Sequence, residues 1–290
     1  MYFILTILSK FFQYLPRKFA LAIGRILGSI IYYIYPRGKS IAMKNIEIAF
    51  PSYDIKKRTN LIYACYRHYG MVLVDFLRLP TLEKKNQKGV FNISSKSLEL
   101  FRKNKGGIIL TGHMGNWEYI GPILSLYNIK SVGVALIQKN SHSNKFFNKL
   151  RISENMKIIP VNCGSKVMMQ HIKDGQYLGL ISDQNAGERG TESLFFNKPV
   201  SVPKGAAAFH LKTNAPILLG FCILCKNLNY KLSFHEMNLK GLPSNSDNAI
   251  MEINHRFTKV LEEIVKKYPE QYFWFHRKWK RNIYKDISRY

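Results

Sequence analysis

One stretch decides the fold: Gly106-Gly-Ile-Ile-Leu-Thr-Gly-His-Met-Gly-Asn-Trp-Glu118. It begins as an apolar run that predicts a buried strand, breaks at Gly112, and leads into a second apolar run at residues 119–126. His113 therefore follows the carboxyl end of a strand, where an imidazole can act as a general base at neutral pH. A carboxylate that accepts the Nδ1 proton would fix the ring's tautomer, and Glu118 is the nearest candidate.

The composition of this loop favours a functional site over an isolated His–Glu pair. Gly112 and Gly115 would let the backbone approach a ligand closely, and the polar Asn116 lies in the same loop. We therefore include Gly115 and Asn116 among the predicted substrate-binding residues. No His-Glu-x-x-His pattern occurs near His113, so neither a metal nor a cofactor is predicted.

Strands and helices alternate after this stretch. Apolar runs predict strands at 131–137, 157–161, 176–182, 217–225 and 231–236, with helices at 144–154, 165–173 and 244–267 and a loop at 185–203. This alternation predicts an α/β fold: a mostly parallel mixed sheet flanked by helices, forming a single domain over residues 40–290. In such sheets active sites collect at the carboxyl ends of the strands, where both His113 and Asp183 are expected.

Residues 1–39 predict a membrane-anchoring segment. They are apolar and aromatic, but Lys10, Arg17, Lys18 and Arg25 interrupt them, so no window reaches the roughly 18 to 20 uncharged residues of a spanning helix. Two helices that lie in or dip into the bilayer fit this composition, and buried core helices are the alternative. Beyond them, residues 40–79 predict two helices joined by a turn at 50–52, and residues 81–105 a polar, lysine-rich connection with one short strand at 90–93.

The charge of the chain is far from balanced. Lys and Arg number 44 against 18 Asp and Glu, a formal net charge of +26, which indicates an anionic partner. Anionic lipid, an acidic carrier protein and nucleic acid all qualify, but nucleic acid is disfavoured because no binding module accompanies the charge. The four cysteines suggest no disulfide framework, and the Cys222-x-x-Cys225 pair falls in a predicted strand, which favours core packing.

The chain has no obvious protein nucleophile. No Gly-x-Ser-x-Gly elbow and no glycine-rich phosphate loop occurs in the sequence. A base without a nucleophile would activate a hydroxyl of the substrate or a water molecule. Acyl transfer and hydrolysis are the two reaction classes that fit.

Several blocks of the sequence resemble one known family. Residues 112–118 are similar to the signature block of the late acyltransferases of lipid A biosynthesis (lauroyl and myristoyl acyltransferases), within the lysophospholipid acyltransferase superfamily, whose hallmark is His-x4-Asp/Glu. Further blocks resemble the family in the same order: residues 45–51, Asn140 with Arg151, Asp183-Gln184, Phe195-Phe196 with 201–205, and 268–280. One departure is Asp75, where the family favours glutamate.

The resemblance implies a reaction and its partners. A fatty acyl group would move from a thioester on acyl carrier protein to a hydroxyl of a lipid A precursor, an anionic lipid, at the cytoplasmic face of the inner membrane. Acyl-CoA as donor and another lipid as acceptor are the alternatives. The implied fold is that of the glycerol-3-phosphate and lysophospholipid acyltransferases, and no cofactor is implied.

The same resemblance suggests roles for individual residues. His113 would be the general base, held by Glu118, and the oxyanion would be stabilised by backbone N–H groups of residues 112–116 or by Arg151, which could instead bind a phosphate. Asp183 and Gln184 would position the acceptor or support the base, and Lys204 would contact substrate. The basic aromatic tail, 276–281, would form a surface for lipid or carrier protein, outside the chemistry, and Phe195 and Phe196 would line an acyl channel or the core.

Overall fold

The computed structural model describes residues 1–84, 90–285 and 287. Its helices are α1 (Tyr2–Tyr14), α2 (Arg17–Ile34), α3 (Pro36–Ala49), α4 (Ile55–Leu77), α5 (Pro80–Lys84), α6 (Ser95–Lys103), α7 (Ile120–Leu126), α8 (Ser141–Arg151), α9 (Ser165–Lys173), α10 (Gly205–Thr213) and α11 (Ser246–Lys267). Its strands are β1 (Phe91–Ile93), β2 (Gly107–Thr111), β3 (Ser131–Ala135), β4 (Met156–Pro160), β5 (Tyr177–Ile181), β6 (Thr191–Phe195), β7 (Lys198–Val202), β8 (Ile217–Leu224) and β9 (Tyr230–Glu236).

A mixed, mostly parallel sheet forms the centre of the protein. Within the described residues, seven strands pair in the order β1-β9-β8-β2-β5-β3-β4, and β8 with β9 is the antiparallel pair. Side chains alternate between the faces, so Ile108 and Leu110 pack against one apolar cluster and Ile109 against the other. The predicted α/β fold class, a mostly parallel sheet flanked by helices, is confirmed.

The register of two neighbouring strands determines which residues meet at the carboxyl edge of the sheet. β2 and β5 are parallel neighbours, with Thr111 opposite Ile181. The next residues continue side by side, since the Ser182 N–H donates to the Thr111 carbonyl at 3.0 Å. His113 and Asp183 each lie two residues after the paired Thr111 and Ile181, so the two strands bring them side by side.

The N-terminal helices have one packed and one exposed apolar face. α2 crosses α4 so closely that a Cβ at Gly28 would lie 2.1 Å from the Tyr66 carbonyl oxygen. The opposite faces of α1 and α2 expose large apolar side chains: Phe3, Ile4, Ile7, Phe11, Phe19, Ile26, Ile30, Tyr33 and Ile34. Among the described helices none is by itself long and apolar enough to cross a bilayer, although α2 and α3, bent by 91°, pass that test as a pair.

Two sequence-based predictions of local structure are wrong. The predicted loop 185–203 contains the hairpin β6–β7, whose two-residue turn holds Phe196 and Asn197 at positive φ. The polar connection 81–105 contains α6, an amphipathic helix capped by Ser94, because its few apolar residues lie on one face. Residues 85–89 of that connection lie outside the described part of the chain.

Candidate active site

His113 is held at two points by Asp183. The backbone N–H of His113 donates to Oδ2 at 2.9 Å, and the ring Nδ1 lies 2.6 Å from Oδ1. Asp183 is completely buried, whereas the His113 side chain is 18% exposed. A buried carboxylate at Nδ1 places the proton there and leaves Nε2 as the free acceptor. The carboxylate that orients His113 is therefore Asp183, and the prediction that Glu118 does so is wrong.

Asp183 lies in a charged, buried environment. Burial by itself would raise the pKa of its carboxyl group, but the opposing effects of His113 and Lys278 hold it well below its usual range. Lys278 is also buried and donates from Nζ to the backbone carbonyl of Asp183. Burial lowers the pKa of this lysine to about 8. The Asp183 side chain is thus ionised at neutral pH and available to stabilise a protonated His113.

His276 lies close to His113. Its ring centroid is 6.2 Å from that of His113, and it stacks on Phe273 at 6.0 Å. Both ring nitrogens are inaccessible to solvent and make no hydrogen bond of normal geometry with the described residues. Burial lowers the pKa of His276 to about 4, so the ring is neutral at pH 7, although Asp183 and the nearby Phe273 backbone oppose that shift.

The C-terminal tail therefore belongs to the site. Sequence reasoning placed 276–281 outside the chemistry, but His276 faces His113, and Lys278 contacts Asp183. Phe273 donates its backbone N–H to the His113 carbonyl at 2.9 Å, and the Tyr69 hydroxyl reaches the same oxygen at 3.1 Å. The sequence did contain a signal for this role, because the tail is rich in aromatic as well as basic residues. Its positive charge led to the prediction of a surface for lipid or carrier protein.

Glu118 forms a different pair. Its carboxylate accepts two hydrogen bonds from Arg151, from Nε at 2.7 Å and from Nη2 at 2.6 Å. Arg151 also lies over the Phe76 ring at 5.1 Å. Burial would lower the pKa of the guanidinium, but the hydrogen bond and charge of Glu118 raise it overall. With Nε and Nη2 bonded to Glu118, Arg151 is tied to the loop that follows His113, and its contact with an oxyanion or a phosphate stays a prediction.

The backbone N–H groups of the loop are also occupied. His113 donates to Asp183, Met114 to the Gly112 carbonyl at 2.7 Å, Gly115 to Gln271 at 2.8 Å and Asn116 to Cys222 at 2.8 Å. The last two of these bonds hold the loop against Gln271 and β8. The expectation that they form an oxyanion hole is not supported.

Gly115 and Asn116 face the protein rather than a ligand. Gly115 has φ of +61°, and a Cβ there would lie 2.0 Å from the Cys222 carbonyl oxygen, so the close approach is to β8. The Asn116 side chain is fully buried and donates to the Tyr230 hydroxyl at 3.1 Å. Their predicted contact with substrate is not supported, because both residues join the loop to the sheet.

Tyr230 leads to a second buried charge cluster. Its hydroxyl donates to the buried Asp75 at 2.9 Å, and Arg17 of α2 donates to the same carboxylate at 3.0 and 2.7 Å. Asp75 is completely buried. Its carboxylate therefore links the N-terminal helices through Tyr230 and Asn116 to the loop that carries His113.

The remaining predicted site residues lie apart from His113. Gln184 is exposed just beyond Asp183, and Lys204 is exposed at the start of α10 without a hydrogen bond or ion pair to the described site residues. Phe195 and Phe196 are buried in the core. Substrate binding by Gln184 and Lys204 stays a prediction.

Comparison with known proteins assigns the chain to a family. The family model described as bacterial lipid A biosynthesis acyltransferase matches residues 1–281. The chain belongs to this family. It is accordingly an acyltransferase of the lipid A and glycolipid type, and the sequence-based prediction of an O-acyltransferase is confirmed.

Individual relatives of this acyltransferase are distant. It is 22% identical over 287 residues to a lipid A biosynthesis palmitoleoyltransferase of Escherichia coli, which covers 95% of this chain and 90% of that protein. It is 22% identical over 170 residues to a phosphatidylinositol mannoside acyltransferase of Mycobacterium tuberculosis, covering 56% and 54% of the two chains. Among solved structures, the 1-acyl-sn-glycerophosphate acyltransferase of Thermotoga maritima aligns over 93% of this chain and 99% of its own, with 13% identity and a TM-score of 0.37.

Proposed function

We propose that this acyltransferase moves a fatty acyl chain from an acyl carrier protein thioester to a hydroxyl of a lipid A precursor or a related glycolipid, with His113 as the general base. The observation that carries the proposal is the Nδ1 contact of His113 with the buried Asp183. It leaves Nε2 free to accept a proton while Asp183 stabilises the imidazolium that results. The E. coli relative supports the acceptor class, since it is named a lipid A biosynthesis palmitoleoyltransferase.

The reaction needs only the groups in the site and the two substrates. Nε2 of His113 removes the proton of the acceptor hydroxyl as its oxygen attacks the thioester carbonyl, forming a C–O bond and a tetrahedral oxyanion. The oxyanion then collapses, the C–S bond breaks, and the thiol leaves with the proton from His113. Ester and free thiol are the products, and the base returns to its starting state.

His276 gives the acceptor a second contact. A buried polar group without a partner costs about 1 to 3 kcal/mol, which a substrate can recover by supplying the partner. The ring centroids of the two histidines are 6.2 Å apart, which makes His276 a near neighbour of the proposed base. In this proposal His276 donates a hydrogen bond to the acceptor or to the developing oxyanion. That role is open because the loop N–H groups and Arg151 are already hydrogen-bonded within the protein.

The N-terminal helices suit attachment to a membrane. α1 and α2 expose a row of aromatic and aliphatic side chains, more apolar surface than a water-facing helix usually carries. The basic residues of the chain would contact anionic lipid head groups and an acidic carrier protein. The location proposed is the cytoplasmic face of the inner membrane, where a carrier-bound donor is available.

Mass spectrometry of a defined reaction tests the proposal. The full chain in detergent micelles, given an acyl carrier protein thioester and a lipid A precursor, is expected to yield a product heavier by one acyl group. His113→Ala should reduce that rate at least about a thousandfold, whereas His255→Ala, at an exposed position on α11, should leave it unchanged. Free fatty acid released at the same rate with and without acceptor would instead show a thioester hydrolase.

A further inference from the structure

Asn45 is a polar residue in the middle of the buried face of α3. The other buried residues of this helix are small or apolar, among them Ile41, Ile46 and Ala49, and Asn45 itself is 1% exposed. An asparagine inside a helix is less favourable than leucine or alanine, because its amide competes for backbone hydrogen bonds, and burying that amide without partners costs more. An asparagine at this position therefore indicates hydrogen-bond partners outside the helix.

The described partners of the Asn45 side chain lie in the C-terminal tail. Nδ2 donates to the backbone carbonyls of Trp274 and His276, each at 2.7 Å. Oδ1 accepts a hydrogen bond from the Tyr284 hydroxyl at 2.5 Å. One buried amide thus uses both of its donors and its acceptor to join α3 to the tail, across at least 229 positions of the chain.

The tail needs these bonds because it has no regular secondary structure at this point. Residues 273–280, all of them described, form no helix or strand. Buried carbonyl groups that are not paired within a helix or a sheet must find donors elsewhere. The amide of Asn45 supplies two donors, so it fixes the backbone on both sides of Phe275.

The position of the His276 ring depends on that backbone. The ring nitrogens make no hydrogen bond of normal geometry with the described residues, so no such bond of the ring holds it in place. The ring packs against Phe273 and Tyr272, with centroids 6.0 and 5.9 Å away. The bond from Asn45 to the His276 carbonyl therefore anchors this residue from its backbone side.

We propose that Asn45 is a positioning residue, whose amide fixes the tail at Trp274 and His276 and thereby holds the His276 ring close to His113. The inference rests on the proposed function, in which His276 donates to the acceptor or to the oxyanion. Asn45 acts through His276, since its own polar atoms are bonded to the tail. The sequence block 45–51 thus contributes to the site by holding the tail in place.

Two substitutions of buried asparagines separate this role from a general loss of stability. Asn45→Leu keeps the approximate size of the side chain and removes its three hydrogen bonds. The control is Asn254→Leu on α11, since Asn254 is also 1% exposed and its amide donates to the Thr191 hydroxyl at 2.6 Å and to the Pro203 carbonyl at 3.3 Å. Tyr284→Phe, which removes a single hydroxyl group, is milder and takes the place of Asn45→Leu if that variant does not fold.

Histidine NMR of the full chain in detergent micelles reports the position of the His276 ring without any substrate. The signal is assigned by its absence from His276→Phe. Burial lowers the pKa of this ring to about 4, among the charged or titratable groups Asp183, Lys278 and His113, so the signal should stay that of a neutral imidazole from pH 8 to pH 5. In Asn45→Leu the released ring should titrate within this range, near its ordinary value of about 6.5.

The comparison between variants decides the structural part of the inference. The control Asn254→Leu should leave the His276 signal unchanged, and Tyr284→Phe should shift its titration in the same direction as Asn45→Leu but by less. A folded Asn45→Leu in which His276 stays neutral down to pH 5 would overturn the inference. The same result in Tyr284→Phe would overturn it if Asn45→Leu does not fold.

Kinetics then test whether Asn45 acts through His276. In transfer assays at saturating substrate, Asn45→Leu should lower kcat about tenfold to a hundredfold, because a small displacement of a group in the site is costly. In a His276→Phe background the same substitution should have little further effect, whereas Asn254→Leu should leave kcat unchanged in either background. An undiminished loss in the His276→Phe background would show a merely structural role and overturn the inference.

The proposed function can fail separately from this inference. If the parent enzyme transfers no acyl group but the His276 signal shifts in Asn45→Leu and not in the control, the proposed function is refuted. The positioning of His276 by Asn45 then stands, because the NMR titration needs neither donor nor acceptor.

Discussion

Asp183 contacts His113 through both carboxylate oxygens, one bound to the backbone N–H at 2.9 Å and the other at ring Nδ1, 2.6 Å away. The two residues are 70 positions apart in the chain. They meet because β2 and β5 are parallel neighbours that end at the same edge of the sheet. The ring is therefore fixed in position and in tautomer by one buried carboxylate, while the nearer Glu118 binds Arg151.

Asp183→Asn should abolish most of the activity without unfolding the protein. The amide can donate to Nδ1 and so favour the tautomer with a proton on Nε2, which removes the base. A fall in kcat of about 10³ to 10⁴-fold is expected in steady-state assays of acyl transfer. The control Asp174→Asn, at an exposed position after α9, should retain full activity. Activity in Asp183→Asn close to that of the parent enzyme would exclude the orienting role.

Glu118 and Arg151 should behave as a single unit. Glu118→Gln and Arg151→Gln each leave a partly buried charge without its partner, so each should lower the free energy of unfolding by about 1 to 3 kcal/mol. The double variant should be no less stable, and no less active, than the worse single variant. Thermal unfolding and kcat of all four proteins give the coupling energy. Additive losses would show that the two residues act separately.

His276 can be tested by comparing two replacements. His276→Phe keeps the stacking on Phe273 but removes both nitrogens, whereas His276→Asn keeps a hydrogen-bond donor and loses the ring. If His276 donates to the acceptor or the oxyanion, the phenylalanine variant should lose about 10² to 10³-fold in kcat, and the asparagine variant should recover part of it. A merely structural role predicts the reverse order, with phenylalanine better tolerated.

The same histidine should make the protein sensitive to acid. Its folded-state pKa of about 4 is below the ordinary value of 6.5, so the unfolded chain binds more protons between these values. The contribution of His276 to the free energy of unfolding is fully present above pH 6.5. It is lost as the pH falls toward 4, by up to about 3 kcal/mol. Thermal unfolding at pH 7 and pH 4.5 should show a smaller decrease for His276→Phe. An equal decrease in both proteins would refute this assignment.

The Asp75–Arg17 pair should govern the attachment of α2. Asp75→Asn leaves Arg17 without its buried partner, and removing one member of such a pair costs about 3 to 5 kcal/mol. Replacing both residues, Arg17→Met with Asp75→Leu, should recover much of that loss. Chemical denaturation measures the stability, and limited proteolysis of α1 and α2 reports on their detachment. Asp75→Glu, which keeps the negative charge, should be the mildest change.

Much of the fold follows from local pattern. Apolar runs bounded by glycine and polar residues located the strands of the sheet, because a strand buried on both faces must be apolar throughout. The hairpin β6–β7 was missed, since its turn uses Phe196 and Asn197 at positive φ instead of the usual Asn-Gly. Helix α6 was missed because most of its residues are polar and only one face is buried.

The sequence by itself determined the α/β class, the position of His113 at the end of a strand, and the family, all of which depend on residues close together in the chain. Only the tertiary structure decided which carboxylate serves His113, because that choice depends on strand order, and neighbouring strands need not be neighbours in sequence. Tertiary packing likewise committed Arg151 to Glu118 and brought His276 and Lys278 to the site. Side chains from distant segments meet only when the sheet and tail are assembled, so spacing alone favoured the wrong partner.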